Sequence, residues 1–293
     1  MSLAGFILAA GLGTRIGALS RLRPKPLLPI GLATSFARAV AALREAGARP
    51  IVANASHLAA QIVEAGRSRD VVVVVEEGGP YGTAGGVANA RPLLDADAVA
   101  VWNGDIVAEV DVGALHTLLR LASAIAALAV RGREPIGGGN VGISSDGRVV
   151  RMRNQGFAEL GSEAYGAWFA AVQVLDRTLV ARAPERGCLV GDVLIPALAE
   201  GALVVAMDYG GPWHDVGDPA SYLEANLAEA TRVAAGAVVG PAVTLERVIV
   251  GAGACIEGAG VLQDVVVWPG ARAVAPLSRA VVTGAGEIVF VEG

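Results

Sequence analysis

Leu8-Ala-Ala-Gly-Leu-Gly-Thr-Arg15 brings two glycines, a hydroxyl and a guanidinium together, and Arg23-Pro-Lys-Pro-Leu-Leu-Pro29 follows shortly after. Gly11 and Gly13 remove side chains where backbone must come close to something, and consecutive amides in such a loop form a concave anion-binding surface. Thr14 adds a hydroxyl, Arg15 a permanent planar charge and Lys25 a compact, mobile one. A Gly-rich loop with two cations is what a triphosphate needs. Lys25 is also the single lysine among 23 Lys and Arg residues. A chain that otherwise uses Arg for positive charge keeps Lys inside Pro-Lys-Pro, and the two are not interchangeable where a small point charge must reach a phosphate.

Two commoner phosphate motifs do not fit. A dinucleotide fingerprint wants Gly-x-Gly-x-x-Gly with an acid further on, but Gly17 is one position late and the second strand ends near Asn54 with no acid. A Walker loop wants Gly-Lys-Ser/Thr, and no lysine follows a glycine here. The plain alternative is an ordinary β-turn-α connection.

Ala10-Gly-Leu-Gly-Thr-Arg15 with Pro24-Lys-Pro-Leu27 resembles the signature of the sugar-1-phosphate nucleotidyltransferases, which include the mannose-1-phosphate guanylyltransferases and glucose-1-phosphate thymidylyltransferases. The resemblance implies a Rossmann-like, doubly wound mixed sheet of the nucleotide-diphospho-sugar transferase type. It also implies a reaction between a nucleoside triphosphate and a sugar 1-phosphate, with Mg2+ as cofactor. Leu8, Ala10, Gly11, Gly13 and Thr14 then belong to the nucleotide loop, and Arg15 and Lys25 are the catalytic cations.

The elements that must position these groups follow in strand-helix alternation, the doubly wound pattern. Gly5-Phe-Ile-Leu-Ala9 reads as the first strand. Ser35 to Ala46 has helical spacing and stops at Gly47, Pro50 to Asn54 is a second strand, and Ser56 caps a short helix to about Ala65. Val71 to Val75 is an unbroken β-branched run, as expected of a strand buried on both faces. Glu76-Glu-Gly-Gly-Pro-Tyr-Gly-Thr-Ala-Gly-Gly86 leaves its carboxyl end, where open α/β sheets place ligands. By resemblance Gly82, Thr83 and Glu77 meet the base and ribose; the alternative is a helix start capped by Thr83.

Ala98 to Trp102 is the next strand, ending in Asn103-Gly-Asp105. A carboxylate there is placed to hold a divalent ion, and magnesium takes one or two carboxylates plus phosphate oxygens and water. An Asx-type turn is the alternative. Asp105 matches the family's metal-binding aspartate. Asp111 to Leu121 is a helix, Ala122 to Val130 a strand, and Asp146-Gly147 a hairpin turn into Arg148 to Met152.

By resemblance Gly142 lies against the sugar, Arg153 stands where the family carries a phosphate-contacting lysine, and Ala171 replaces a glycine near the sugar. Val190 to Leu198 resembles a helix that usually begins Glu-Lys-Asp; Asp192 is kept and Gly191 stands in place of the lysine. Trp213-His-Asp-Val-Gly217 resembles the segment whose aspartate is the second metal ligand, so Asp215 joins Asp105. His214 reads as a packing or hydrogen-bonding residue, and Asp218 as the N-cap of a helix from Pro219 to Arg232 with Pro at N1.

After residue 232 helical spacing stops. Leu245-Glu-Arg-Val-Ile-Val, Leu262-Gln-Asp-Val-Val-Val and Leu277-Ser-Arg-Ala-Val-Val recur, with Gly-Ala units between them. This resembles a short left-handed parallel β-helix of hexapeptide type. The expected division is a nucleotidyltransferase domain over 1–232 and a short β-helical domain over 233–293, through which the chain could form a homo-oligomer. The tail inclines the resemblance towards the mannose-1-phosphate guanylyltransferases.

Composition bounds the rest. Apolar residues make up 54% and charged residues 17%, as in a compact globular protein. A net charge of −5 and 4% aromatics give no general affinity for nucleic acid and few stacking platforms. Cys188 and Cys255 are isolated, which disfavours structural zinc and a disulfide framework. No signal-peptide layout or membrane-length apolar run is read, so the expectation is a cytoplasmic enzyme acting on a nucleoside triphosphate and a sugar 1-phosphate, with no nucleic-acid or membrane partner. The competing reading is a catalytically impaired regulatory subunit that binds nucleotide-sugar; its support is the missing Glu-Lys-Pro lysine.

Overall fold

The computed structural model of the protein describes residues 1–228 and 230–292. They gather into two compact units: Met1–Gly11 with Ala39–Trp213, and Leu12–Arg38 with His214–Gly293.

The first unit is built on a mixed sheet of ten strands. Leu3–Leu8 pairs in parallel with Ile51–Ala55 on one side and Ala98–Asn103 on the other, and Ile51–Ala55 pairs in parallel with Val72–Val75. The long strand Tyr165–Asp176 turns the sheet antiparallel, lying against Ala98–Asn103, Val141–Ile143 and Ala126–Glu134. Val149–Met152 returns along Val141–Ile143 as the Asp146-Gly147 turn predicts, with Gly147 at φ 83°. Val204–Asp208 adds in parallel beside Ala126–Glu134. Phe6, Val52, Val87, Val99, Val101, Leu128 and Leu194 meet in the dry core between sheet and helices.

Three local expectations need correction. Val72–Val75 is an edge strand, and Val72 and Val75 are 48% and 46% exposed rather than buried on both faces. A β-branched run fits a pleated surface wherever it lies in a sheet, so its composition does not report its place. Ser56 caps no helix: Ala59–Arg67 is entered through Leu58 at φ 50° without a side-chain cap. The segment expected as one helix over Val190–Leu198 starts as a π-helical stretch, Leu189–Leu194, and continues as a short α-helix, Ile195–Ala199.

In the second unit the helix Pro219–Leu227 is opened by the expected cap: the Asp218 carboxylate accepts from the Ser221 amide at 2.9 Å, with Pro219 in the first turn. It stops at Leu227 instead of running to Arg232, and Arg232–Val233 pairs as a strand with Ile249–Val250. Glu229, within the expected helix, lies outside the described residues. The three tail repeats stack in parallel strands with Leu245 beside Leu262 and Leu262 beside Leu277. Val248, Val265 and Ala280 follow in the same register and are fully buried. The third residue of each repeat, Arg247, Asp264 and Arg279, is left-handed at φ 53°, 56° and 45°, so each repeat bends at the same place. The last strand, Ile288–Phe290, folds back antiparallel along 280–282.

No helix among the described residues is long and apolar enough to cross a membrane.

Candidate functional site

The carboxyl ends of the parallel strands in the first unit carry Leu8, Ala10, Gly11, Glu77, Gly82, Thr83 and Asp105. Leu8 ends the first strand, and its carbonyl takes the Gly104 amide at 2.9 Å. That bond, with the pairing of Leu8 and Asn103, sets Asn103-Gly-Asp105 beside Leu8, and Trp102 Nε1 donates to the Ile106 carbonyl at 3.2 Å. Asp105 is half-buried in this turn. Ala9 and Ala10 are buried and Gly11 is exposed. No protein atom lies within 4 Å of where a Cβ on Gly11 would stand. Packing among the described residues therefore does not require glycine there.

The next loop along this edge is more heavily engaged by the protein than the sequence implies. Gly82 is left-handed at φ 81°, and a Cβ on it would collide with the Gly187 carbonyl. That carbonyl accepts the Ala84 amide at 2.9 Å, and the Gly187 amide returns to the Tyr81 carbonyl at 3.0 Å. Thr83 does not cap its own helix, Gly82–Ala90; its Oγ1 accepts from the Leu189 amide at 2.8 Å, at the start of the π-helical stretch. Irregular turns of this kind recur at functional sites. Glu77 is exposed, whereas Glu76 before it is 2% exposed.

The residues expected near a sugar phosphate lie in the antiparallel half. Gly142 sits beneath an ion pair, since a Cβ on it would run into the Glu163 carboxylate and Arg151 Cβ. Arg151 Nε and Nη2 donate to Glu163 Oε2 and Oε1 at 2.8 and 2.9 Å, and Nη2 also donates to the Gly138 carbonyl at 2.6 Å. Both side chains are 12% exposed. The Arg151 hydrogen bond holds the Glu163 carboxyl below its ordinary value, against burial, with help from the Gly137 amide. The folded carboxylate thus keeps its charge at a pH where the unfolded one is protonated. Its contribution to stability is complete above the ordinary value and is lost as pH falls through the lower folded one. Arg151→Met is expected to cost about 3 kcal/mol by leaving a buried carboxylate without its cation. Glu163→Gln is expected to flatten the acid limb of stability. Urea unfolding between neutral and acid pH reads both, and an acid limb unchanged in Glu163→Gln would rule the linkage out.

Arg153 is left-handed at φ 55°, its amide donates to the Asn140 carbonyl at 2.6 Å, and its Nη2 donates to Cys188 Sγ at 3.2 Å. Burial works to raise the Cys188 thiol, but the Gly191 and Val190 amides and Arg153 outweigh it and hold it below its ordinary value.

Ala171 is also left-handed, at φ 59°, inside a bulge between Phe169 and Gln173 where the pairing with Ala126–Glu134 shifts. Trp213 fixes this bulge: its indole donates to the Ala170 carbonyl at 3.0 Å, and the Arg131 guanidinium lies 4.5 Å from its ring centre. The left-handed conformation disfavours a Cβ by about 1–2 kcal/mol, offset in part by glycine's greater loss of freedom on folding. Ala171→Gly is therefore expected to stabilise the fold by about 0.5 kcal/mol, the difference of these two effects. A thermal melt of the variant that falls below wild type would contradict the strain.

In the second unit, Gly13 is left-handed at φ 65° and opens a short 3-10 turn, Thr14–Ile16. A Cβ on Gly13 would stand 3.2 Å from Lys25 Cγ and 3.1 Å from Ser20 Cβ, so the lysine stem packs directly beneath the loop. Lys25 is 8% exposed, while Thr14 and Arg15 are exposed. The Arg15 guanidinium lies against Gly217, 3.4 Å from where its Cβ would be. The Gly217 amide donates to the Asp215 carbonyl at 2.9 Å, so Arg15, half-buried Asp215 and the Asp218 cap occupy one neighbourhood.

Residues not singled out from the sequence hold this arrangement. The Pro29 carbonyl accepts from Tyr222 Oη at 2.6 Å and from Asn226 Nδ2 at 3.4 Å, while Asn226 Oδ1 accepts the Gly31 amide at 2.9 Å. Trp268 Nε1, in the tail, donates to Tyr222 Oη at 3.0 Å, and complete burial pushes the Tyr222 phenol well above its ordinary range. Helical spacing gives Tyr222 and Asn226 as neighbours four apart, but not their common target.

Among the described residues no group of three or more His, Cys, Asp or Glu is gathered for a metal. Asp105, in a turn of the first unit, and Asp215, at the end of the strand Trp213–Asp215 in the second, are half-buried hard oxygen donors. Each carboxylate is by type a ligand for magnesium, which draws its remaining ligands from phosphate and water, rather than for a structural zinc.

Comparison with known proteins places the chain. The family model described as nucleotidyl transferase matches residues 4–232. A mannose-1-phosphate guanylyltransferase of Mycobacterium tuberculosis is 27% identical over 91% of this chain and 80% of its own. A mannose-1-phosphate guanylyltransferase catalytic subunit beta of Drosophila pseudoobscura pseudoobscura is 27% identical over 74% of this chain, and the match spans 60% of that protein's length. An N-acetylmuramate alpha-1-phosphate uridylyltransferase of Neisseria meningitidis serogroup B is 37% identical over 36% of this chain and 48% of its own. Among solved structures, HddC from Yersinia pseudotuberculosis, complexed with GMP-PN, superposes with a TM-score of 0.61 at 22% identity, covering 77% of this chain and 98% of that one, so the α/β mixed-sheet fold is shared. The chain is a member of the nucleotidyl transferase family.

Proposed function

We propose that the chain transfers a nucleotidyl group from a nucleoside triphosphate to a sugar 1-phosphate, giving a nucleotide-sugar and pyrophosphate. The observation that carries this reading is the packing of Lys25 under Gly13 in the same unit where Arg15 lies against the Asp215–Asp218 turn. Cations and an acidic turn are gathered around one glycine loop in a family whose members handle nucleotides.

In this reading a phosphate oxygen of the sugar 1-phosphate attacks the α-phosphorus in line. The bond from the α-phosphorus to the bridging oxygen breaks, and pyrophosphate leaves with the electron pair. No protein nucleophile is required, because the sugar phosphate is already ionised at neutral pH. The protein's part is positioning and charge compensation. The amides of Gly11 to Thr14 and the Arg15 guanidinium hold the leaving phosphates, and Lys25 compensates the charge that grows at the reacting ones. Leu8, Ala10, Glu77, Gly82 and Thr83 border the base and ribose. Asp105 and Asp215 are the residues that would hold magnesium, which when bound supplies charge neutralisation at the α-phosphate. Gly142, Arg153 and Ala171 border the sugar phosphate, and the Ala171 methyl is a determinant of which sugar fits.

The mannose-1-phosphate guanylyltransferases among the relatives make GTP and mannose 1-phosphate the first pair to try. Pyrophosphate release with magnesium is measured across the common nucleoside triphosphates and a panel of hexose 1-phosphates. Release from one pairing is the expected result; silence across the panel would overturn the catalytic reading. Arg153, engaged by Cys188 where the resembled motif has a lysine, favours the second reading, a regulatory subunit that binds nucleotide-sugar without turnover. Nucleotide binding by calorimetry without pyrophosphate release would select it.

For the tail, the proposal is a short left-handed β-helix over 233–293 following a catalytic domain over 1–232. Parallel stacking of three repeats that bend at the same place supports a β-helical coil. A homo-oligomer formed through this tail, in the cytoplasm, completes the reading, and light scattering on the full chain reads the subunit number.

A further inference from the structure

A buried polar chain runs beneath the sheet edge that carries the nucleotide loop. The Ala9 amide donates to Asn54 Oδ1 at 2.7 Å, Asn54 Nδ2 donates to Glu76 Oε1 at 2.6 Å, and the Tyr81 amide donates to Glu76 Oε2 at 2.7 Å. Asn54 and Glu76 are each 2% exposed. The chemistry fixes the orientation of every group. A main-chain N–H only donates and an ionised carboxylate only accepts, so the side chain between them must offer one acceptor and one donor, which a primary amide does. Gly86 closes the arrangement from the helix side. A Cβ on it would collide with Asn54 Nδ2 and stand 3.1 Å from Glu76 Oε1. A buried carboxylate is costly unless its acceptors are filled, and here two donors fill them.

The three bonds tie together the ends of three adjacent strands: Ala9 after Leu3–Leu8, Asn54 near the end of Ile51–Ala55, and Glu76 just after Val72–Val75. Through Tyr81 they also fix the start of the Gly82–Ala90 helix. We propose that Asn54 and Glu76 are positioning residues for nucleotide binding, setting the Ala9–Gly11 backbone and the Tyr81–Thr83 backbone in one fixed relation. This rests on the nucleotidyl-transfer reading above. Neither side chain touches the substrates; both act through the backbone that does.

The chain of donors and acceptors dictates its own test. In Asn54→Asp two carboxylates face each other. In Glu76→Gln two NH2 groups face each other, or, with Asn54 turned over, an NH2 group faces the Ala9 amide. The double variant Asn54→Asp/Glu76→Gln restores all three bonds with reversed roles. The carboxylate now at position 54 accepts from the Ala9 amide and from the primary amide now at position 76. The oxygen of that primary amide accepts from the Tyr81 N–H. Each single variant is expected to raise KM for the nucleoside triphosphate about tenfold or more, the equivalent of one buried hydrogen bond. KM for the sugar 1-phosphate is expected to change less than about twofold, since neither residue borders it. The double variant is expected to return within about threefold of wild type, as its bonds are restored.

Initial rates of pyrophosphate release with each substrate varied in turn, on the full chain, make the measurement. Unchanged nucleotide KM in both single variants overturns the inference, as does a drop in thermal stability with equal changes in both KM values. If a single variant fails to fold, the double variant decides: wild-type kinetics support the inference and a raised nucleotide KM overturns it. A wild-type chain that neither binds nor turns over nucleotide would sink the functional reading, and this inference with it. An active wild type with indifferent single variants sinks the inference alone.

Discussion

Asp105→Ala is expected to lower the rate of pyrophosphate release at least about a hundredfold while leaving the melting temperature within a few degrees of wild type. The scale is that of losing a carboxylate that would hold the magnesium supplying charge neutralisation at the α-phosphate. Stability is spared because the turn is held by other groups. The Gly104 amide on the Leu8 carbonyl and the Trp102 indole on the Ile106 carbonyl remain when the carboxylate is removed. Asp215→Ala is expected to show a loss of similar size. Rates measured across a magnesium titration distinguish this from a structural role. Near-normal turnover in Asp105→Ala at low magnesium would remove the carboxylate from the mechanism.

Lys25 carries the second large expectation. Lys25→Met keeps an unbranched stem under Gly13 and removes the ammonium group. Turnover is expected to fall at least about a hundredfold, with thermal stability close to wild type. Lys25→Arg keeps the charge and is expected to rescue poorly. The stem is 8% exposed and packs within van der Waals contact of the Gly13 position, leaving little room to re-aim a broad planar head. Rapid-quench turnover of the three forms under identical substrate saturation makes the comparison. Full activity in Lys25→Arg would show that any cation suffices.

Much of the arrangement is legible in the sequence, for identifiable reasons. Strand-helix alternation carries the parallel half of the sheet because each element is long enough to show its period. The Asp218-Pro219 start announces itself by residue type, and the tail repeats fix their own pairing, Leu245 with Leu262 and Leu262 with Leu277. The placement of Val72–Val75 at the sheet edge is hidden because a valine run reads alike in the middle and at the border of a sheet. Glu76 and Glu77 are adjacent and identical in type, yet one is buried and the other exposed. Only the direction of the chain leaving the strand separates them. In the sequence Asn54 ends a strand that carries no acid, and the acid that matters, Glu76, lies just after the next strand, 2.6 Å away in space. Tyr222, Asn226 and Trp268 escape for the same reason: their partners are distant in sequence.

The same distance shapes how the protein reaches its native state. The compact unit holding Arg15 and Lys25 is assembled from residues 12–38 and 214–293, with residues 39–213 belonging to the other unit. On the ribosome, chains emerge from the N-terminus and domains fold as they become complete. The loop that carries both cations leaves early, but Pro29 finds Tyr222 and Asn226, and Tyr222 finds Trp268, only when the last part of the chain has been made. Closing so long a loop has an entropic cost that delays contact formation. The cation loop is thus made well before the residues that lock it, so a nascent chain that has not yet reached Trp268 would be held back from phosphate chemistry.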